Sequence, residues 1–317
     1  EEIQLQLWNW STNDWVVIHS YAYDTPDEER RYVTLPSIDD FVSQDGLLKL
    51  KILSESSPPP PKHTLYLELC KVFSLKPEIL HDVIYMAIGQ SKLLWLYDLT
   101  NSEWLTSINS PSLFDVNTPI AYDNQNKLVW VINSSHLMYY DILAKTWTSE
   151  ALLVQSPGEG AILVYLSGGL YYFAGNGSTS AYYYNISSGV WVPLPNCSSP
   201  IASYSVGITD GQFIYILTDG HFYRYNPQTR TYEELESPPT SFSVGMTYDS
   251  DNQRIWTIGR GGGVYYYVLS AQIWQVYDVF LPYYPMEQGN RLVYYNGILY
   301  HVRDDGTRDL LKIFISS

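Results

Sequence analysis

His136 and His221 each stand four residues before a tyrosine, Tyr140 and Tyr225, in two otherwise unrelated stretches of the chain. A shared offset places them at equivalent points of a repeated unit, and paired imidazoles invite a reading as metal ligands. On separate repeats and outer strands they lie beyond one metal's reach of each other, so solvated loop histidines are the better reading. Hydrolysis of a glycoside asks for two carboxylates about 5–10 Å apart. Asp210, Asp219, Asp249, Asp251, Asp304 and Asp305 are the acids in suitable surroundings. All fall in turn positions, where Asp serves its own backbone. Asp249-Ser250-Asp251-Asn252 and Asp304-Asp305-Gly306 offer oxygens to Ca²⁺ but lack the spacing of a complete loop. No catalytic, cofactor-binding or metal-binding residue is assigned, and the chain reads as a non-enzyme.

What positions these residues is a ladder of aromatic pairs. Tyr97 and Trp104, Tyr140 and Trp147, Tyr184 and Trp191, Tyr225 and Tyr232, and Tyr267 and Trp274 are each seven residues apart. Successive copies start 43, 44, 41 and 42 residues apart, a period that marks a repeated supersecondary unit. Residues 205–236 display the unit: short strands at 205–209, 213–217, 222–225 and 231–235, with Gly, Asn, Asp or Pro at each reversal. Four short strands per repeat make a propeller blade, and blades bury their faces by packing around an axis.

The pattern resembles the kelch-type β-propeller. It carries a glycine pair near a second strand (Gly168-Gly169, and Gly261-Gly262-Gly263), an aromatic on the third strand and a Trp opening the fourth. A Tyr-Asp or Tyr-Asn step recurs at Tyr97-Asp98, Tyr140-Asp141, Tyr184-Asn185 and Tyr225-Asn226, and becomes Tyr267-Val268 in the fifth copy. The resemblance covers residues 76–317 and implies six blades, with no catalytic residue carried over. The copper-radical oxidases of similar fold need histidines and tyrosines converging on the axis and a tyrosine bonded to a cysteine. Sialidase-type propellers carry Ser-x-Asp-x-Gly-x-x-Trp turns. Neither pattern occurs in this sequence. Both ends of the ring read as unfinished. The first blade supplies strands two to four (83–88, 93–99, 103–107) without a clear first strand. The sixth supplies strands at 291–295, 298–302 and 310–317, with Phe314 as its third-strand aromatic.

Residues 1–75 differ. A hairpin (3–10 and 15–20), an acidic loop at 24–29 and alternating stretches at 32–35, 47–53 and 63–73 read as strands, with Pro58 to Pro61 a stiff connection. This stretch resembles the small jelly-roll modules akin to carbohydrate-binding domains of secreted proteins. The matching features are the Trp8-Asn9-Trp10-Ser11 to Trp15 hairpin, Phe41-Val42 before Asp45-Gly46, and Leu65-Tyr66-Leu67-Glu68-Leu69. A rival reading is a degenerate blade pair, because Trp8 and Trp15 are also seven apart and Trp8 precedes Tyr97 by 89. The expected fold is therefore all-β, a β-sandwich followed by a six-bladed propeller.

Bulk composition narrows function. The 317 residues hold 18 Lys and Arg against 33 acids, a net charge of −15, which repels nucleic acid and anionic membrane surfaces. No apolar run is long enough to span a bilayer as a helix. The chain opens Glu1-Glu2 without Met, as a processed exported protein does and as a fragment also does. Asn9, Asn133, Asn176, Asn185 and Asn196 are Asn-x-Ser sequons, and Cys70 and Cys197 can form one disulfide or remain two thiols. Residues 160–209 contain no Asp, Glu, Lys or Arg and hold three of those sequons. An uncharged sheet edge invites pairing, so this stretch reads as an interface, as a glycan-covered face, or as chance in a charge-poor chain. The expected role is a non-catalytic, extracellular or cell-surface structural or adhesive subunit that self-associates into an oligomer or filament. The alternative is a glycan-binding protein or carbohydrate-active enzyme using the propeller funnel, with Tyr283, Tyr284 and Trp95 as stacking platforms. An intracellular adaptor is a third option, disfavoured by the sequons and the missing Met.

Overall fold

The computed structural model of the chain describes residues 2–9, 14–22, 50–55, 82–115, 118–240, 243–259, 261–281, 292–302 and 310–315, the first three stretches as backbone. The chain divides into two compact units, Glu1–His81 and Asp82–Ser317. In the first, β1 (Glu2–Asn9), β2 (Asp14–Ala22) and β3 (Leu50–Glu55) form an antiparallel sheet in the order β2-β1-β3. Trp8 stands opposite Trp15 across the hairpin, and Asn9 opposite Asp14. The order departs from the sequential meander of a blade. The strands expected at 32–35 and 63–73, and Cys70, lie outside the described residues.

The second unit is a six-bladed β-propeller. Blade 1 comprises β4 (Val83–Ala87), β5 (Leu93–Asp98), and an outer strand broken into β6 (Glu103–Trp104) and β7 (Ile108–Asn109), both paired with β5. Blade 2 is β8 (Ile120–Asp123), β9 (Leu128–Asn133), β10 (His136–Asp141) and β11 (Thr146–Leu152). Blade 3 is β12 (Ile162–Leu166), β13 (Gly169–Phe173), β14 (Ala181–Asn185) and β15 (Val190–Pro193). Blade 4 is β16 (Val206–Thr209), β17 (Ile214–Thr218), β18 (His221–Asn226) and β19 (Thr231–Leu235). Blade 5 is β20 (Ser243–Asp249), β21 (Arg254–Gly259), β22 (Gly263–Val268) and β23 (Ile273–Phe280). Blade 6 holds three strands, β24 (Leu292–Tyr295), β25 (Ile298–Val302) and β26 (Leu310–Phe314).

All five aromatic pairs are directly opposed partners on third and fourth strands. Their ring centroids lie 5.2, 5.4, 4.9, 4.8 and 5.3 Å apart, the separation at which aromatic pairs attract beyond their burial. The spacing of seven follows from the turn between the strands. In blades 2, 3 and 4 the residue after the tyrosine is Asp or Asn, and its Oδ1 accepts backbone N–H groups two and three residues on. The turn then closes through a residue at positive φ, such as Lys145 (57°) or Arg230 (57°). Asp98 makes the same turn in blade 1.

Packing is organised between blades. Six hydrophobic clusters each join one pair of neighbouring blades, including one between blades 6 and 1. Second strands are therefore covered on both faces, and all five residues of β17 are buried. Third-strand tyrosines lean on the preceding blade: Tyr184 on Trp130, Tyr225 on Tyr171, and Tyr97 on Tyr300. That last contact closes the ring. It also fixes β5 as a third strand, so blade 1 has no described first strand.

The sixth blade corrects one expectation. Leu299 pairs with Ile313, and both are buried in the cluster between blades 5 and 6. Ile313 thus holds the slot that tyrosines fill elsewhere, while Phe314 turns the other way and is 71% exposed. The strand alternates sides residue by residue, so a phase error of one moves a side chain from core to solvent. Glycines matter where neighbours leave no room. A Cβ on Gly160, which sits at φ +74°, would lie 1.9 Å from the Ala202 carbonyl oxygen, and one on Gly169 would lie 2.1 Å from the Tyr183 ring. Gly261 to Gly263 lie at the reversal that follows β21, the second strand of blade 5, and Gly168-Gly169 at the reversal that opens β13, the second strand of blade 3.

Candidate functional site

First strands β8, β12, β16, β20 and β24 pack side by side around the ring. Their C-terminal ends and the turns that follow make one rim. A tyrosine recurs one residue before the last in four of them: Tyr122, Tyr165, Tyr248 and Tyr294. Each stands opposite a buried aliphatic residue of the second strand, namely Val129, Leu170, Ile255 and Leu299.

Two of these tyrosines reach back to the turn of the preceding blade. The Tyr165 hydroxyl donates to Gln125 Oε1 at 2.9 Å, and the Tyr294 hydroxyl donates to Asp251 Oδ2 at 2.6 Å. Burial, then the negative charges of Asp210 and Asp249, push the Tyr248 hydroxyl up. Burial and the Asp123 carboxylate hold Tyr165 up to about 12. The acids are first of all turn residues. Asp123 Oδ1 accepts from the backbone of Gln125 and Asn126, and Asp249 Oδ1 accepts from Asp251 and Asn252. Asp210 caps its own turn and also accepts from the Tyr215 hydroxyl at 3.0 Å.

Blade 1 interrupts the rim. With no described first strand, the inner edge of β4 carries no described pairing partner, and blade 2 meets no turn of a preceding first strand among the described residues. Tyr122 accordingly differs from its equivalents. It is 47% exposed, against 9% for Tyr165, and its hydroxyl makes no hydrogen bond among the described residues. Its ring stacks on Tyr85 of β4 at 6.4 Å and 20°, and Lys127 Nζ lies 6.0 Å from its centroid. On the other flank the Tyr295 hydroxyl donates to Asp82 Oδ2 at 2.7 Å. Among the described residues, Tyr85, Tyr122, Lys127 and Tyr295 thus stand along the seam between β24, β4 and β8.

At blade 6 no described strand covers the outer side of β26. Val276 on β23 and Phe314 on β26 are 69% and 71% exposed. The Tyr277 hydroxyl ties the two strands by donating to the Phe314 carbonyl oxygen at 3.2 Å.

The residues singled out in the sequence disperse over the molecule. His136 and His221 open the equivalent strands β10 and β18, both exposed; the Nδ1 atoms lie 3.1 Å from Ser135 Oγ and 2.8 Å from Glu234 Oε1. Among the described residues no three His, Cys, Asp or Glu side chains gather as a metal site would require. Asp219 sits at the opposite reversal, between β17 and β18. Asp304, Asp305, Tyr283 and Tyr284 lie outside the described residues. Trp95 is a correction: it is buried, edge-on to Trp104 at 5.6 Å, so it offers no face to a sugar. Cys197 is a buried free thiol, pushed up by burial.

The sequons fall into distinct settings. Asn133 is buried, and its Nδ2 donates to Ser112 Oγ at 2.8 Å, a geometry that leaves its amide no room for a glycan. Asn176 and Asn196 are exposed, and Asn185 is half-buried with Oδ1 held by Ser187 and Ser188. Asn9 ends β1, its side chain outside the described residues. The tyrosine rim was missed in the sequence, although its signal, a Tyr-Asp step ending the first strand at Tyr122-Asp123 and Tyr248-Asp249, was present.

No family model matches this chain, and no curated protein is similar to it. Solved structures are similar in fold. A chain of a nidogen/laminin complex superposes with a TM-score of 0.58 at 12% identity, covering 73% of this chain and 89% of that one. The structure of YjhT superposes with a TM-score of 0.50 at 15% identity, over 61% of this chain and 73% of that one. The likeness is one of fold, the six-bladed β-propeller.

Proposed function

We propose that this chain is a non-catalytic extracellular or cell-surface subunit, structural or adhesive, whose kelch-like propeller self-associates through open sheet edges. The observation that carries the reading is a pair of strand edges with no partner among the described residues, the inner side of β4 and the outer side of β26. Open edges present unpaired N–H and C=O groups and are ready templates for another strand. Exposed Val276 and Phe314 beside β26 add apolar area to the second edge. Low charge across residues 160–209 supports a packed or sheathed face on blade 3. Light scattering on purified protein across a range of concentrations tests the reading. Oligomers or filaments are the expected result, and a monomer at every concentration rejects it.

The likeness to a nidogen/laminin complex and the sequons at Asn176 and Asn196 are compatible with an exported adhesive protein. Intact mass of secreted material tests the glycan part, with added hexose mass expected. A second reading, glycan binding at the rim, draws on the exposed Tyr122 stacked on half-buried Tyr85. Binding on a glycan array that disappears with Tyr122→Ala favours it.

A further inference from the structure

The chain has two Asn-Gly steps, Asn176-Gly177 and Asn296-Gly297. Such a step can close on itself: the glycine nitrogen attacks the asparagine side-chain carbonyl carbon, and a glycine, lacking Cβ, does not obstruct the approach. The fold treats the two steps differently. Asn176 is clamped. Its N–H donates to the Glu159 carbonyl oxygen at 2.7 Å, and the Gly177 N–H donates to the Ile201 carbonyl oxygen at 2.8 Å. A Cβ on Gly158 would lie 2.2 Å from Asn176 Cβ, so the residue is also packed against a neighbouring loop.

Asn296-Gly297 is the two-residue turn between β24 and β25, flanked by the paired Tyr295 and Ile298. Both residues have positive φ, 46° and 77°, the conformation that selects Asn-Gly in a tight hairpin. Asn296 is exposed, and a Cβ on Gly297 would meet nothing closer than 4.0 Å, so the tip has room to turn. Two phenols flank it. The Tyr294 hydroxyl donates to Asp251 Oδ2 at 2.6 Å. Burial and the Asp251 carboxylate push that hydroxyl up, and the Gly297 N–H, which donates to it, acts the other way. The Tyr295 hydroxyl donates to Asp82 Oδ2 at 2.7 Å and is pushed up first by that bond, against a hydrogen bond from the Asn296 side chain. The attacking nitrogen therefore faces a hydroxyl backed by a carboxylate. Blade 3 repeats this contact, Tyr165 receiving the Gly168 N–H, but Ser167 has no side-chain carbonyl to attack.

We propose that Asn296 is a self-deamidation site, at which Tyr294 and Asp251 take the proton of the attacking Gly297 nitrogen. The Gly297 N–H proton passes to the Tyr294 oxygen as Tyr294 passes its own to Asp251, general-base catalysis through a relay. The Gly297 nitrogen bonds to Asn296 Cγ and the Cγ–Nδ2 bond breaks. Ammonia leaves with the proton, returned from Asp251 through water. Water then opens the cyclic imide to aspartate or isoaspartate, which adds a carboxylate to the turn of blade 6.

The test follows both steps in the full chain by peptide-mapping mass spectrometry and isoaspartate labelling, over incubation at physiological pH and temperature. In the folded protein Asn296 should convert about tenfold faster than Asn176, and in urea-unfolded protein the two should react at similar rates. Tyr294→Phe and Asp251→Asn should each slow Asn296 about tenfold, while Asp251→Glu keeps most of the rate. Circular dichroism melts verify that each variant folds. Asp251→Asn keeps an acceptor for the Tyr294 hydroxyl, so a purely structural role predicts no slowing there. Conversion at Asn296 no faster than at Asn176 in the folded chain overturns the site. A rate at Asn296 that Tyr294→Phe or Asp251→Asn leaves unchanged or raises overturns the relay.

Discussion

At the residue scale the molecule is governed by Asp and Asn that turn the chain and tyrosines that lock blades together. Asp123 is fully buried and satisfies two backbone N–H groups and the Asn126 amide. Asp123→Ala should cost about 2–3 kcal/mol, since buried donors lose a charged acceptor. Asp141→Ala, at a more exposed turn, should cost about 1 kcal/mol; urea melts of the two variants check the ranking. Alkaline pH makes a second prediction. Burial raises Tyr171 to about 12 and also raises Tyr172 and Tyr184. A raised folded pKa means the native state keeps a proton that the unfolded chain releases near 10. Stability is thus fully present below pH 10 and falls between 10 and 12, by about 1.4 kcal/mol per pH unit for each such tyrosine. Thermal melts from pH 8 to 12 should show a plateau and then a steep decline. The turn acids were legible in the sequence as turn residues. A second task, taken by Asp251 in accepting from the Tyr294 hydroxyl of the next blade, was not, because it joins residues 43 apart.

At the scale of elements, the repeat's aromatic spacing is a turn length made visible. Trp274 illustrates what a fourth strand contributes: its ring meets Tyr267 and Phe222, and its Nε1 donates to the Glu236 carbonyl oxygen at 2.7 Å. That bond crosses from blade 5 to blade 4. The loops entering and leaving blade 3 are as constrained, because Gly160 of the first packs against Ala202 of the second. Gly160→Ala drives a methyl into the Ala202 carbonyl oxygen at an unfavourable φ and should cost about 3 kcal/mol or more. Gly168→Ala, with open space around it at φ +82°, should cost about 1 kcal/mol. Differential scanning calorimetry of the pair separates clash from backbone strain. Phase is where sequence reading failed at this scale. Phe314 looks like the next rung of the ladder, yet Ile313 fills the core slot, because the hydrogen-bond register of β25 and β26, not residue type, decides which face is inward.

For the whole propeller, closure is a side-chain matter among the described residues. Blades 6 and 1 meet through Tyr97, Tyr300, Ile84 and Leu99, with Lys312 Nζ 5.6 Å from both tyrosine rings. No described strand crosses this seam. Tyr300→Ala should cost about 3 kcal/mol by leaving a cavity in the closing cluster. Hydrogen exchange should then rise first in β4, β24 and β25; equal rises in blades 3 and 4 would show that the seam is not the weak point. The sequence by itself determined the repeat, the blade count and the turn chemistry, because these are local patterns renewed every 41 to 44 residues. Only the tertiary structure decided which residues gather at the rim, that Asn133 and Trp95 are buried, and that Ile313 rather than Phe314 faces the core. Those facts depend on neighbouring blades covering or failing to cover a surface, and burial between blades is set by the closed ring rather than by any one stretch of chain.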